Sequence, residues 1–159
     1  MLFTGTYEHS IDAKQRLAIP SEIREALQPD RDGDKLYLSV ANPHALSLYT
    51  QAGFERRADD LEQSPLPPAD VIEFERVFYS LARPVELDKQ GRIRLPEQLV
   101  NFVKLGREVV LLGVKDHLEI HDRQRWYEQL TATLESKPNL LANPRQFAQP
   151  QGRETGGDR

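Results

Sequence analysis

Cysteine is absent from this chain, which excludes disulfide bridges, thiolate metal centres and cysteine nucleophiles together. Long apolar runs are missing as well. No stretch approaches the ~18 residues of a membrane-spanning helix. The opening residues Met1-Leu2-Phe3-Thr4-Gly5 carry no basic region followed by an apolar run. A cytoplasmic address without a membrane partner is the expectation. There is no Gly-rich phosphate loop or G-x-S-x-G turn, and no Ser, His and Asp stand at spacings that nominate a triad. The chain therefore reads as a non-enzyme, with no catalytic residue, cofactor, metal or small-molecule substrate expected. Apolar residues make up only 38% of its 159 positions, enough to core one domain or two small ones while part of the chain stays solvated.

The chain also lacks a basic excess: its formal net charge is −4. The distribution matters more than the sum. Between Arg83 and Arg107 stand Arg83, Lys89, Arg92, Arg94, Lys104 and Arg107 against Glu86, Asp88 and Glu97, a net of three positive charges. Between Glu55 and Arg76 seven acids face Arg56, Arg57 and Arg76, a net of four negative charges. A basic face on an acidic protein is compatible with this separation.

What the sequence does have is an internal repeat. Ile11-Asp-Ala-Lys-Gln-Arg-Leu-Ala-Ile-Pro20 aligns with Leu87-Asp-Lys-Gln-Gly-Arg-Ile-Arg-Leu-Pro96. Asp12 meets Asp88, Arg16 meets Arg92, and Pro20 meets Pro96. Beyond the proline, Ile23, Ala26 and Leu27 meet Leu99, Phe102 and Val103, an i, i+3, i+4 spacing that predicts one face of a short helix in each copy. Leu36-Tyr-Leu-Ser then resembles Val109-Val-Leu-Leu, and Leu46-Ser-Leu-Tyr resembles Leu118-Glu-Ile-His. Helical segments with Phe54 and Trp126 follow, and both aromatics are expected to seal helix packing. The repeated unit is strand, turn, strand, short helix, strand, strand, helix. Ser64-Pro-Leu-Pro-Pro68 separates the copies. After it Asp70 is placed as an N-cap with Glu73 three residues on, and Val71, Phe74, Phe78 and Leu81 form a stripe for packing against the repeats. After Lys137 the chain is rich in Pro, Gly and Gln, and residues 137–159 are expected to be a disordered tail.

The chemistry lies at the two turns. Asp88-Lys89-Gln90-Gly91 suits a type I turn, with Asp first and Gly fourth. Val85, Leu87, Ile93 and Leu95 alternate with polar residues, so Arg92 and Arg94 are predicted to face away from the core. The second tip is expected to present Lys89, Arg92 and Arg94 side by side, and the first Lys14 and Arg16. One basic hairpin tip is ordinarily just a solvated turn. Two with the same residues at the same turn positions point to function, and a two-stranded ribbon fits the DNA major groove.

The segments Asp12–Pro20 and Asp88–Pro96 resemble the paired D-x-K-G-R-h-h-h-P signatures of the MraZ family of bacterial transcriptional regulators. Phe3-Thr-Gly-Thr-Tyr-Glu-His9, the stretch Val109–Asp122 and Trp126 are similar to the family too, so the likeness runs over roughly residues 1–135. It implies an α+β fold: a duplicated AbrB-like swapped-hairpin β-barrel with short peripheral helices. The units would span 1–62 and 83–136, joined by a proline-rich linker and connecting helix over 63–82. It also implies double-stranded DNA as partner, a ring-like homo-oligomer, nucleoid association, and repeated promoter boxes upstream of the protein's own division and cell-wall gene cluster. The DNA-contacting positions it implies are Lys14, Arg16, Lys89 and Arg92; the strand alternation adds Arg94. The first copy departs from the signature at Gln15, where Gly is usual. A left-handed backbone there costs a non-Gly residue ~1–2 kcal/mol.

His117, Glu119 and His121 fall on one side of a predicted strand. Two pleats separate the histidines, too far for easy shared ligation, so they read as strand-end polar residues and no metal is expected. The competing functional reading is a protein-interaction scaffold or antitoxin-like module without direct DNA readout. Salt separates the two readings, because phosphate contacts weaken steeply with ionic strength.

Overall fold

The computed structural model describes residues 2–142 apart from 64 and 66. The chain forms two units, Met1–Arg123 and Gln124–Arg159. The tail expected from residue 137 lies, from residue 143 onward, outside the described residues. In chain order the elements are β1 (Thr6–Ser10), β2 (Arg16–Ala18), α1 (Ser21–Ala26), α2 (Pro29–Asp32), β3 (Leu36–Asn42), β4 (Ala45–Thr50) and α3 (Gln51–Glu62). Then follow α4 (Pro68–Leu81), β5 (Arg83–Val85), β6 (Arg92–Arg94), α5 (Glu97–Phe102), β7 (Glu108–Val114), β8 (His117–Asp122) and α6 (Arg123–Ser136). The repeat is visible in this order, with α2 inserted in the first copy only.

The fold is α+β, but the sheet is open, where a closed barrel was expected. Among the described residues, six strands run β1-β7-β8-β4-β3-β5 with β1 and β5 at the edges, and β2 pairs with β6 in a separate two-stranded ribbon. Neither predicted hairpin pairs with itself. β1 joins β7 from Thr6↔Leu112 to Ser10↔Glu108, β5 joins β3, and β2 joins β6. β4 joins β8, so among the described residues only the β3–β4 and β7–β8 ladders stay within one copy. The turn aspartates explain the parting of the strands. Asp12 and Asp88 each fold the chain back locally, sending β2 and β6 away from the sheet edge, and the two then satisfy one another's backbone groups.

An isolated two-stranded ribbon is marginal in water; this one is held by its inner face. Leu17 and Ile93, directly opposite each other, are both fully buried. Around them pack Ile11, Ile19, Leu95, Leu99 and Val103, with Leu38, Leu46, Leu111 and Ile120 from the sheet. Burying a Leu or Ile side chain contributes about 1.5–3 kcal/mol.

The other sheet face is covered by α3 and α4. Phe54 stacks on Tyr37 at 4.6 Å and on Phe78 at 5.6 Å, so it seals packing as expected. Phe78 is buried, and its carbonyl accepts a 2.7 Å hydrogen bond from Ser39 Oγ inside the sheet. That coverage explains why all of β4 is buried. Helix α4 starts earlier than Asp70. Pro67 stands at its N-cap and Pro68 at its first turn, because a proline ring has no N–H to leave unpaired there and already holds a helical φ. Trp126 lies on α6.

Candidate nucleic-acid interface

The two turns are built alike, from one aspartate each. Asp12 Oδ1 accepts the backbone N–H of Lys14 at 2.9 Å and of Arg16 at 2.8 Å, while Oδ2 accepts Arg16 Nε at 2.7 Å. Asp88 repeats the pattern with Gln90 at 2.8 Å, Arg92 at 3.0 Å and Arg92 Nε at 2.9 Å. A backbone bond closes each turn, Gln15 N–H to Asp12 O and Gly91 N–H to Asp88 O, both 3.0 Å. The carboxylates of Asp12 and Asp88 are held below the usual range, first by the Arg16 and Arg92 backbone N–H groups and, against some desolvation, by the guanidinium side chains. A carboxylate accepting this many donors stays charged. By engaging Nε it fixes the guanidinium and leaves the terminal Nη fork pointing on, the edge Arg uses for planar bidentate recognition.

Gln15 adopts the same left-handed backbone as Gly91, with φ of 62° and 75°, so its departure from the signature leaves the turn shape unchanged. Helix contacts swap in compensation. Arg24 of α1 lies over Gly91, close enough that a Cβ there would meet its Cζ at 2.5 Å, and its Nε donates to Ile19 O at 3.0 Å. At the other turn the repeat places Val100, and Gln15 lines a small cleft with it. A bulky turn residue faces a small helix residue, and the reverse.

The ribbon register arranges the five expected basic residues. Arg16 stands directly opposite Arg94, and Ala18 opposite Arg92. Since Leu17 and Ile93 point inward, Arg16, Arg92 and Arg94 share the outward face. Cross-strand neighbours are ~4.5–5.5 Å apart and diagonal ones ~7–8 Å, so the three arginines crowd one patch. Lys14 and Lys89 are exposed in the two turns, at opposite ends of the ribbon. Five cations and two aspartates leave this face with three net positive charges. Two details differ from the expectation. Arg94 sits beside Arg16 of the other copy, not beside Lys89, because β6 pairs with β2 and not with β5. Arg16 and Arg92 are half-buried and ion-paired, with side-chain exposures of 32% and 25%.

Sequence reasoning missed other residues that brace this region. Arg123 ties β1 to β7: its Nη2 donates to His9 O at 2.9 Å, and Nη1 lies 3.0 Å from Glu108. The histidines are not merely strand-end groups. Glu119 bridges them, Oε2 to His117 Nε2 at 3.1 Å and Oε1 to His121 Nε2 at 2.9 Å, and Asp116 takes His117 Nδ1 at 2.7 Å. The two imidazoles pull Glu119 down to about 2 against its desolvation. Burial pushes His117 down, but Glu119 and Asp116 outweigh it and its pKa is raised. Among the described residues no cluster of three ligating side chains is arranged to hold a metal ion.

The geometry defines a class: a two-repeat α+β protein whose copies exchange strands and present a basic β-ribbon. Comparison with known proteins gives the family. A family model described as "MraZ protein, putative antitoxin-like" matches residues 2–71 and 78–147. The chain is 39% identical over 132 residues to a Moorella thermoacetica protein named "Transcriptional regulator MraZ", covering 83% of this chain and 89% of that one. It is 36% identical over 141 residues to the protein of that name from Desulforamulus reducens, covering 89% and 95%. To that of Alkaliphilus metalliredigens it is 38% identical over 125 residues, covering 79% and 84%. The chain belongs to the MraZ family.

Proposed function

We propose that this protein is a transcriptional regulator that binds double-stranded DNA through the β2–β6 ribbon and has no catalytic activity. The observation that carries the reading is the register Arg16↔Arg94 and Ala18↔Arg92 over a buried Leu17–Ile93 pair. It fixes three arginines on one outward face of a ribbon whose width suits the major groove. Arg16 and Arg92, with Nε held by aspartate, are assigned to guanine edges, where Arg can form two hydrogen bonds. Lys14 and Lys89 are assigned to phosphates, and Arg94 extends the basic face beside Arg16. The strand exchange between copies supports an AbrB-like swapped-hairpin unit at 1–62 and another at 83–136, joined through 63–82.

One chain offers few basic groups, and neutralising a handful of phosphates leaves affinity near the non-specific range of ~10⁻⁴–10⁻⁶ M. A ring-like homo-oligomer on repeated promoter boxes multiplies effective concentration. In this reading, which rests on the resemblance to MraZ proteins, those boxes lie upstream of the protein's own division and cell-wall genes and the protein is cytoplasmic and nucleoid-associated. The test is electrophoretic mobility shift on the upstream DNA across a salt series. Wild-type affinity should fall steeply with salt, and Arg16→Ala and Arg92→Ala should each weaken binding by about 1–3 kcal/mol. If both variants bind with unchanged affinity and salt slope, the interaction-scaffold reading replaces this one.

A further inference from the structure

Behind the second turn the structure opens a cleft of about 320 Å³, at the lower end of the ~300–1,000 Å³ typical of small-molecule sites. Its walls are apolar, from Leu27, Pro29, Leu36, Val85 and Leu87. Around them stand Arg24, Lys35, Asp34 and Glu86. None of these four forms an ion pair with another described residue. The other lining acid, Asp32, is committed: it is buried, accepts the Gln28 N–H at 2.8 Å, and pairs with Arg31 at 2.7 Å.

The repeat shows that this cleft is a departure from the common unit. At the equivalent place behind the first turn the space is about 190 Å³. There β1 stays paired as far as Ser10↔Glu108, and the Ile11 N–H then binds Arg107 O at 2.8 Å. Behind the second turn β5 leaves the sheet after Val85, and α2 stands between α1 and β3 where the second copy has no helix. The extra helix and the shorter strand pairing hold the cleft open.

We propose that this cleft binds a small zwitterion with an apolar side chain, the chemical class of the free hydrophobic amino acids. Two cations and two carboxylates line one space without pairing to each other. A ligand carrying an ammonium and a carboxylate satisfies both signs, while its side chain covers the apolar wall. A simple anion would leave Asp34 and Glu86 facing it, and a simple cation would leave Arg24 and Lys35. Occupancy reaches the ribbon by a short route. Arg24, drawn toward a ligand carboxylate, is the same side chain that lies over Gly91 and donates to Ile19 O, and Leu87 directly precedes Asp88, which holds Arg92. The effect on DNA affinity rests on the DNA-binding reading; ligand binding does not, and is measured without DNA.

The experiment is calorimetric titration of the full chain with L-phenylalanine, N-acetyl-L-phenylalanine and L-phenylalaninamide. The free amino acid should bind saturably. Each blocked analogue should bind at least about tenfold more weakly, since it lacks one of the two charges that the lining would pair. Two surface variants that leave the core untouched, Lys35→Glu and Asp34→Lys, localise the site once circular dichroism shows them folded. Both should weaken L-phenylalanine. Lys35→Glu should spare the amide, and Asp34→Lys should spare the N-acetyl form. Equal binding of all three ligands, affinities indifferent to both variants, or no saturable heat in the millimolar range would each overturn the proposal. The last outcome includes a cleft covered by a second copy.

Discussion

The exchange between turn and helix makes a quantitative prediction. Gly91 sits at φ 75°, where a side chain costs about 1–2 kcal/mol. An added Cβ would lie 2.5 Å from Arg24 Nε and Cζ and 2.6 Å from Nη1, so Gly91→Ala must push the guanidinium away and lose its 3.0 Å bond to Ile19 O. Arg24 is an exposed residue, so water takes over much of that bond. The loss is then at the lower end of about 1–3 kcal/mol. The sum is about 2–3 kcal/mol, or roughly 4–12 °C in melting temperature for a chain of this size. Gln15→Gly should behave oppositely: it relieves the left-handed strain, gives up only contacts beside Val100, and should change stability by less than about 1 kcal/mol. The assay is thermal unfolding of Gly91→Ala, Arg24→Ala and the double variant. In the Arg24→Ala background the Gly91→Ala penalty should shrink to the backbone strain alone. A penalty unchanged by Arg24→Ala would refute the steric coupling, and a Gly91→Ala protein as stable as wild type would refute both parts.

Other outcomes can be checked separately. Arg16→Ala and Arg92→Ala should relax sequence preference at one base position each, whereas Lys14→Ala and Lys89→Ala should weaken binding to all sequences alike and reduce the salt slope by about one unit. Binding-site selection with each variant would show the difference. Asp12→Ala should release both the Arg16 side chain and the turn N–H groups, so it should harm DNA affinity as much as Arg16→Ala while also lowering the melting temperature. DNA binding unaffected by Asp12→Ala would mean the carboxylate does not position Arg16. For Glu119 the folded pKa, about 2, is below its ordinary 4.5. Its contribution is therefore present above 4.5 and is lost as pH falls toward 2. Glu119→Gln should flatten the acid limb of the stability curve over that window. It should also lower the raised pKa of His117, which NMR titration of the imidazole would report. The His117 contribution has the reverse sign, present below its ordinary value of 6.5 and lost as pH rises through the raised one.

The local units are legible in the residue order alone. Asp at the start of each turn, Gly91 at its fourth position, the alternation through Leu17 and Ile93, and the proline before each short helix are statements about neighbouring residues, and periodicity reads them directly. The duplication was legible for the same reason, since both copies spell one order of elements. Tertiary structure decided which strand meets which. A strand pattern fixes the buried face but not its partner, so the β1–β7, β2–β6 and β3–β5 pairings, and with them the placing of Arg94 beside Arg16, depend on contacts about 70 or more residues apart or nearly 50 apart. The open sheet in place of a barrel follows from those pairings. The bridging of His117 and His121 by Glu119 was within reach of the two-residue strand period, but their burial came from elsewhere in the chain. The same holds for Arg24 over Gly91. The exposed pattern of α1 marks it as a solvent residue, and only the exchange of strands between the copies brings the second turn beneath it.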